Sequence, residues 1–222
     1  MRLRRTSCSS LIVAATVAAF SAGQAQTATP IRLGVAAGIN SASFGGTDAS
    51  RPPPERQQGF LGGVFLVAPI SRRVAIQPEV LFTMKGAGYA NQVGSGVFKL
   101  NYIEVPLLAR YEVEPSEGLR PFFLVGPGIA FKQSCNVSVS NLGPTQSSSC
   151  ADIAAQGGSG VSFQSLDYSV IFGGGFEFDL HGQTLTGAGR YTYGLANIEK
   201  SSSIKNRVVS LLVALEVPLS RK

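Results

Sequence analysis

Apolar and polar residues alternate one by one in eight stretches of the chain, a period that belongs to strands with two unlike faces. The first runs from Ile31 to Asn40, with Ile31, Leu33, Val35, Ala37 and Ile39 on one side and Arg32, Gly34, Ala36, Gly38 and Asn40 on the other. The second, Phe60 to Ala68, is blurred by apolar residues on both sides. The third, Val74 to Lys85, sets Val74, Ile76, Pro78, Val80, Phe82 and Met84 against Ala75, Gln77, Glu79, Thr83 and Lys85. In the fourth, Leu100 to Glu112, Ile103, Val105, Leu107, Ala109 and Tyr111 oppose Tyr102, Glu104, Arg110 and Glu112. The fifth, Pro121 to Lys132, opposes Phe123, Val125, Ile129 and Phe131 to Gly126, Gly128 and Ala130. The sixth, Leu166 to Asp179, opposes Tyr168, Val170, Phe172, Phe176 and Phe178 to Asp167, Ser169, Gly173, Gly175 and Glu177. The seventh, Thr184 to Asn197, opposes Leu185, Tyr191, Tyr193 and Leu195 to Thr186, Ala188, Arg190 and Thr192. The eighth, Arg207 to Val217, opposes Val209, Leu211, Val213, Leu215 and Val217 to Ser210, Ala214 and Glu216.

The connections alternate too. Pro69 to Arg73, Val113 to Arg120 and Leu180 to Gln183 are short, whereas Ser41 to Gly59, Gly86 to Lys99, Gln133 to Ser165 and Ile198 to Asn206 are longer. Short turns at one end and long loops at the other predict an all-β protein, an eight-stranded antiparallel transmembrane barrel with both termini on the short-turn, periplasmic side. A soluble barrel would carry its apolar residues inside. Here charges share a face opposite a fatty one, which fits lipid outside. Pro78, Pro106 and Pro127 count against the assignment, because each removes a ladder donor within a predicted strand.

Composition agrees with a lipid-facing surface. Of 222 residues 44% are hydrophobic and only 14% charged, against roughly 25% charged in soluble domains. No apolar run after residue 25 is long enough for a membrane helix. The longest, Phe60 to Ile70 and Phe122 to Phe131, suit a tilted strand of about ten residues. A closed barrel is the other structure that satisfies every backbone group in lipid.

Residues 1–25 read as a secretory leader: Arg2, Arg4 and Arg5, an apolar stretch from Leu11 to Phe20, then small residues to a cleavage site after Ala25. The barrel domain is then 26–222. Cys8 precedes the apolar stretch, so it is not a lipoprotein cysteine. The leader holds three of the basic residues behind the net charge of +6, so basicity gives no argument for nucleic acid. The expected partners are outer-membrane lipid, the barrel assembly machinery during biogenesis, and an unidentified extracellular ligand of the loops.

The candidate chemistry lies on the inward face: Arg32, Glu79, Lys85, Glu104, Arg110, Glu112, Asp167, Glu177, Arg190 and Glu216. Eight strands leave an interior just wide enough for side chains to fill, and an unpaired buried charge costs several kcal/mol. These residues are therefore expected to pair into a structural plug; a proton or ion path, or an acid/base pair at Glu79 and Glu104, is the functional alternative. His181, the single histidine, falls in a short turn, so no His-based triad or multi-histidine metal site is expected. No catalytic residue, metal or cofactor is predicted. A small-solute porin is the competing class and an outer-membrane enzyme the third. After processing, Cys135 and Cys150 remain, in the longest loop. Exported compartments are oxidising, so a disulfide is expected, closing a loop of about 15 residues for roughly 3 kcal/mol. Gly173-Gly174-Gly175 lacks the Lys-Ser/Thr of a phosphate loop and is read as lumenal packing. Arg51-Pro52-Pro53-Pro54-Glu55-Arg56 is read as a stiff exposed loop.

Several stretches resemble the PorT-like outer-membrane β-barrel family: Gln77-Pro78-Glu79-Val80-Leu81-Phe82 with Lys85-Gly86, and Leu100-Asn101-Tyr102-Ile103-Glu104-Val105-Pro106-Leu107-Leu108. Pro121-Phe122-Phe123 with Gly126-Pro127-Gly128, Asp167 with Gly173-Gly174-Gly175-Phe176-Glu177, and Arg190-Tyr191-Thr192-Tyr193-Gly194-Leu195 with Asn197-Ile198 continue the resemblance across roughly residues 31 to 219. It implies an eight-stranded barrel and outer-membrane residence, and no particular activity. One departure stands out. Such proteins often end in an aromatic residue, whereas this chain ends Pro218-Leu219-Ser220-Arg221-Lys222.

Overall fold

A computed structural model of the chain describes residues 30–45, 55–91, 94–114, 118–140, 145–155, 164–197 and 204–219. The leader through Ala25, most of the Arg51–Arg56 stretch and the last three residues lie outside them. The strands are β1 (Arg32–Gly45), β2 (Glu55–Pro69), β3 (Val74–Asn91), β4 (Gly94–Glu112), β5 (Leu119–Ser140), β6 (Gln146–Ser149), β7 (Leu166–Leu180), β8 (Gln183–Gly194) and β9 (Lys205–Pro218), with one short helix, α1 (Cys150–Ala155). Eight of these strands pair antiparallel with their neighbours, and β1 pairs with β9 from Arg32↔Pro218 to Gly45↔Lys205, which closes the barrel. The remaining strand, β6, adds only to the outer part of β5. Among the described residues no helix is long and apolar enough to cross a membrane.

The alternation read from the sequence sets the two faces. On β9, Val209, Leu211, Val213, Leu215 and Val217 are exposed while Ser210, Leu212, Ala214 and Glu216 are buried. The same parity holds on β1, β4, β7 and β8, so the outer surface is a band of aliphatic residues about nine to eleven residues tall, the height of a tilted spanning strand. Aromatic side chains flank it. Tyr111, Phe123, Phe176 and Phe178 lie toward the short-turn end, and Phe60, Phe131, Tyr168 and Tyr193 toward the other. The blurred second strand also takes an order: Phe60, Val64 and Leu66 face out, and Leu61, Phe65 and Val67 face in.

The three strand prolines follow one rule. Each stays in register with the following strand and sits where pairing with the preceding strand lapses. Pro78 pairs with Leu107, while the β2–β3 ladder skips from Phe65↔Glu79 to Ala68↔Ile76. Pro106 pairs with Gly128 at the gap in β3–β4, and Pro127 pairs with Val170 at the gap in β4–β5. The missing N–H therefore faces a place where no ladder bond is made. A gap also lets strands come close: a Cβ at Gly126 would lie 2.1 Å from the Leu107 carbonyl oxygen.

All four expected long loops are shortened by the structure: β1 runs on to Gly45, β2 begins at Glu55 and β9 begins at Lys205, and the other two change most. Gly86 to Lys99 is not a loop but a continuation of the hairpin, paired from Gly86↔Lys99 to Asn91↔Gly94. In the stretch from Gln133 to Ser165, β5 runs on to Ser140, followed by β6 and α1. These extensions rise beyond the apolar band, so their sequence needs no fatty face, and Gly, Ser and Asn carry no alternation to read. The protein therefore has a one-sided wall, built from β3, β4, β5 and β6, at its long-loop end.

At the short-turn end, His181 and Gly182 make a two-residue turn with φ values of 48° and 89°, the positive pair that hairpins of type I′ require. Ser71 Oγ accepts from the amides of Arg73 and Val74 in the turn after β2, and Arg73 pairs with Glu114 across the rim.

Candidate functional site

The interior charges fall into three tiers rather than one cluster. The lowest tier comes from strand ends near the short turns, where β1, β4, β5, β7 and β9 converge. Arg32 Nη2 lies 2.8 Å from Glu177 Oε1 and 3.1 Å from Glu112 Oε1, and its Nε lies 2.8 Å from Glu216 Oε2. Arg110, 1% exposed, pairs with Glu177 and lies 3.3 Å from Glu112 and 3.8 Å from Glu216. Its guanidinium stacks 3.8 Å over the Phe122 ring. Arg120 Nε reaches Glu177 Oε2 at 3.1 Å and its fork also holds Asp179 at the rim. Thr186 Oγ1 donates to Glu216 Oε1 at 2.7 Å. Three arginines thus meet Glu112, Glu177 and Glu216, with Asp179 completing the rim.

One side chain carries this tier upward. Arg110 Nη1 donates to Gln77 Oε1 at 3.0 Å, and Gln77 Nε2 donates to Glu79 Oε1 at 2.6 Å. Glu79 in turn receives both Nη1 and Nη2 of Arg190, at 2.6 and 2.8 Å. Around this middle pair packs an apolar layer that includes Leu61, Leu108, Phe122, Leu124, Ile171 and Leu212. Both groups are buried, and removing one partner of a buried pair typically costs about 3–5 kcal/mol.

The upper tier is smaller and more polar. Lys85 Nζ donates to Glu104 Oε1 at 3.1 Å and sits 5.2 Å from the Tyr102 ring centre. Asn206 Nδ2 donates to Asp167 Oδ2 at 2.7 Å, and Asn40 Nδ2 to Thr83 Oγ1 at 3.1 Å. Above it Phe44, Ala87, Leu100 and Ile204 form an apolar layer, against which Phe98 and the Cys135–Cys150 disulfide pack. Cys135 points inward because β5 carries one extra residue at Gln133: Asn101 faces Ser134, but Tyr102 faces Lys132.

All ten inward charges named from the sequence lie on the inner face, but the structure joins them in separate groups. Arg32, Glu112, Arg110, Glu177 and Glu216 meet in one, Glu79 and Arg190 in the next, and Lys85 with Glu104 and Asp167 at the top. The sequence reading missed Arg120, which it left in a turn, and Asn206, which it left in a loop. Counting back from Ser210 in twos would have put Asn206 inside. Its assignment of Gln77 as inward gave no hint that Gln77 links two tiers. His181 is exposed in the turn between β7 and β8, and among the described residues no group of His, Cys, Asp and Glu is placed to hold a metal.

A search of curated protein sequences gave no match. Among solved structures, Neisserial surface protein A is similar over 84% of this chain and 97% of its own, with 17% identity and a TM-score of 0.48. Ail, the attachment invasion locus protein of Yersinia pestis, seen in complex with the heparin analogue sucrose octasulfate, aligns over 85% of this chain and 99% of its own, at 12% identity and a TM-score of 0.40. The outer membrane enzyme PagL aligns over 85% and 99%, at 13% identity and 0.37. At these TM-scores none of the likenesses bears on function. The family comparison is more direct, since its model spans most of the barrel. Residues 24–200 match the outer membrane protein β-barrel domain, and the protein belongs to that outer-membrane family.

Proposed function

We propose that the protein is an integral outer-membrane barrel with a plugged lumen and a structural or interaction role, carried by the surface at its long-loop end. The observation behind this reading is the continuous run of side-chain bonds from Glu216 through Arg32, Glu177, Arg110, Gln77 and Glu79 to Arg190. Apolar layers between and above the tiers support the same reading. In this reading the short turns face the periplasm, residues 1–25 are removed on export, and the kinship is with PorT-like barrels. The inward carboxylates neutralise arginines rather than catalyse, and the protein is not an enzyme.

The test is a planar-bilayer recording of the refolded full-length barrel. Silent bilayers are expected. Stepwise conductance that recurs across preparations would replace the plug with a small-solute pore.

A further inference from the structure

The outer surface carries one feature that a generic fatty band does not require. Between β2, β1 and β9, toward the long-loop end, an open groove of about 190 Å³ is lined by Ile39, Ser41, Gln58, Gly59, Val209 and Leu211, with Asn40 beneath. Its floor crosses the β1–β2 and β1–β9 pairings, with Gln58 opposite Ser41, Val209 opposite Ser41 and Leu211 opposite Ile39. Asn40 itself, 3% exposed, faces the interior, so the polar side chains bordering the groove are Ser41 and Gln58.

Directly above the groove stand two cations. Val209 faces Ser41 and Leu211 faces Ile39; the next outward residues on β9 are Arg207, opposite Ser43, and Lys205, opposite Gly45. Arg207 is fixed in place. Its guanidinium lies 3.6 Å over the ring of Tyr193, and its Nη1 donates to the carbonyl oxygens of Gly194 and Asn206 at 3.1 and 3.2 Å. Gly45 leaves it room, since a Cβ there would sit 3.0 Å from Arg207 Cγ. Among the described residues no ion pair engages Arg207 or Lys205, and the outward positions of β1, β8 and β9 carry no carboxylate.

We propose that this seam is a binding site for one phosphate-bearing lipid of net negative charge in the leaflet that meets the long-loop end. Its acyl chain lies in the groove over Val209 and Leu211, and its phosphate sits against Arg207 and Lys205. The apolar floor, the cations one step above it and their place at the upper edge of the apolar band match the order of chain and headgroup in a lipid. A guanidinium presents a planar fork of donors suited to phosphate oxygens, and stacking on Tyr193 holds that fork before the ligand arrives. The proposal rests on the membrane placement of the barrel and not on the plugged lumen, so a conducting barrel would leave it standing.

The test uses full-length barrel equilibrated with vesicles of equal phosphatidylglycerol and phosphatidylcholine, then native mass spectrometry of the lipids retained. Wild type is expected to retain phosphatidylglycerol preferentially. Each of Arg207→Gln and Lys205→Gln should lower that preference about fivefold, the ratio for roughly 1 kcal/mol per cation near a membrane surface. Ser41→Phe, which fills the groove from a lipid-facing position, should remove retained lipid of both kinds. A boiling-dependent gel shift checks that each variant is folded. Equal retention of the two lipids by wild type, or a preference untouched in Arg207→Gln/Lys205→Gln, would overturn the proposal. So would phosphatidylglycerol retention unchanged by Ser41→Phe, or its displacement by millimolar inorganic phosphate, which would mark a site for the free anion.

Discussion

Arg190 on β8 and Glu79 on β3 meet across the barrel axis, 111 residues apart in sequence, with two guanidinium nitrogens on two carboxylate oxygens at 2.6 and 2.8 Å. Neither strand is a sheet neighbour of the other, so this pair braces the wall through the interior rather than along it. Charge-assisted pairs of this forked form are among the stronger polar contacts in proteins, and here Leu108, Leu124 and Ile171 belong to the buried apolar layer at the same level.

Breaking that brace from one side should be costly. Arg190→Met is expected to lower stability by about 3–5 kcal/mol because Glu79 would stay buried without its partner. Arg190→Met combined with Glu79→Gln should recover most of the loss. Urea unfolding of barrels refolded into vesicles measures both. A single variant within about 1 kcal/mol of wild type would mean that water replaces the arginine, and the interior is wetter than its packing implies.

The disulfide belongs to the wall above the membrane rather than to the barrel. Cys135→Ser with Cys150→Ser is therefore expected to keep the boiling-dependent gel shift while making the long-loop end more sensitive to proteinase K, with new cuts between residues 133 and 165. The local loss should be near the roughly 3 kcal/mol of loop-closure entropy for about 15 residues. A barrel that fails to fold without the bond would assign it a role in the spanning part.

Depth in the membrane should govern charge tolerance on the outer face. Val213 stands in the middle of the outward set of β9 and Val217 at its short-turn end. Val213→Arg is expected to cost about 2–4 kcal/mol and Val217→Arg about 0–1 kcal/mol, the pattern of lipid-facing barrel positions. The same vesicle unfolding assay reads both. Equal costs would mean that the apolar band is not centred where the alternation puts it.

Much of this was legible in the chain. The two faces, the eight spans and the identity of the inward charges follow from a period of two, because in a strand each residue's side is dictated by its immediate neighbours. The outward sets of β4 and β9 were read residue for residue. The short turn at His181 and Gly182 was equally local, since only two residues have to adopt positive φ.

What the sequence did not contain was anything that depends on which strand lies beside which, and at what offset. Whether Pro78, Pro106 and Pro127 break a sheet depends on the partner across the gap, and the structure places each at a lapse in pairing with the preceding strand. One extra residue at Gln133 reverses the parity of β5 and turns Cys135 inward, where counting in twos from Pro121 would put it outside. The strand extensions past Lys85 and Lys132 carried no alternation because they leave the lipid. The tiers of charge were hidden for the same reason: Arg32, Glu177 and Glu216 are far apart in sequence, and only barrel closure and register bring them within 3 Å. Alternation is a property of neighbours along one strand and is written in the sequence. Register, closure and the pairing of buried charges are properties of strands side by side, and only the folded barrel decides them.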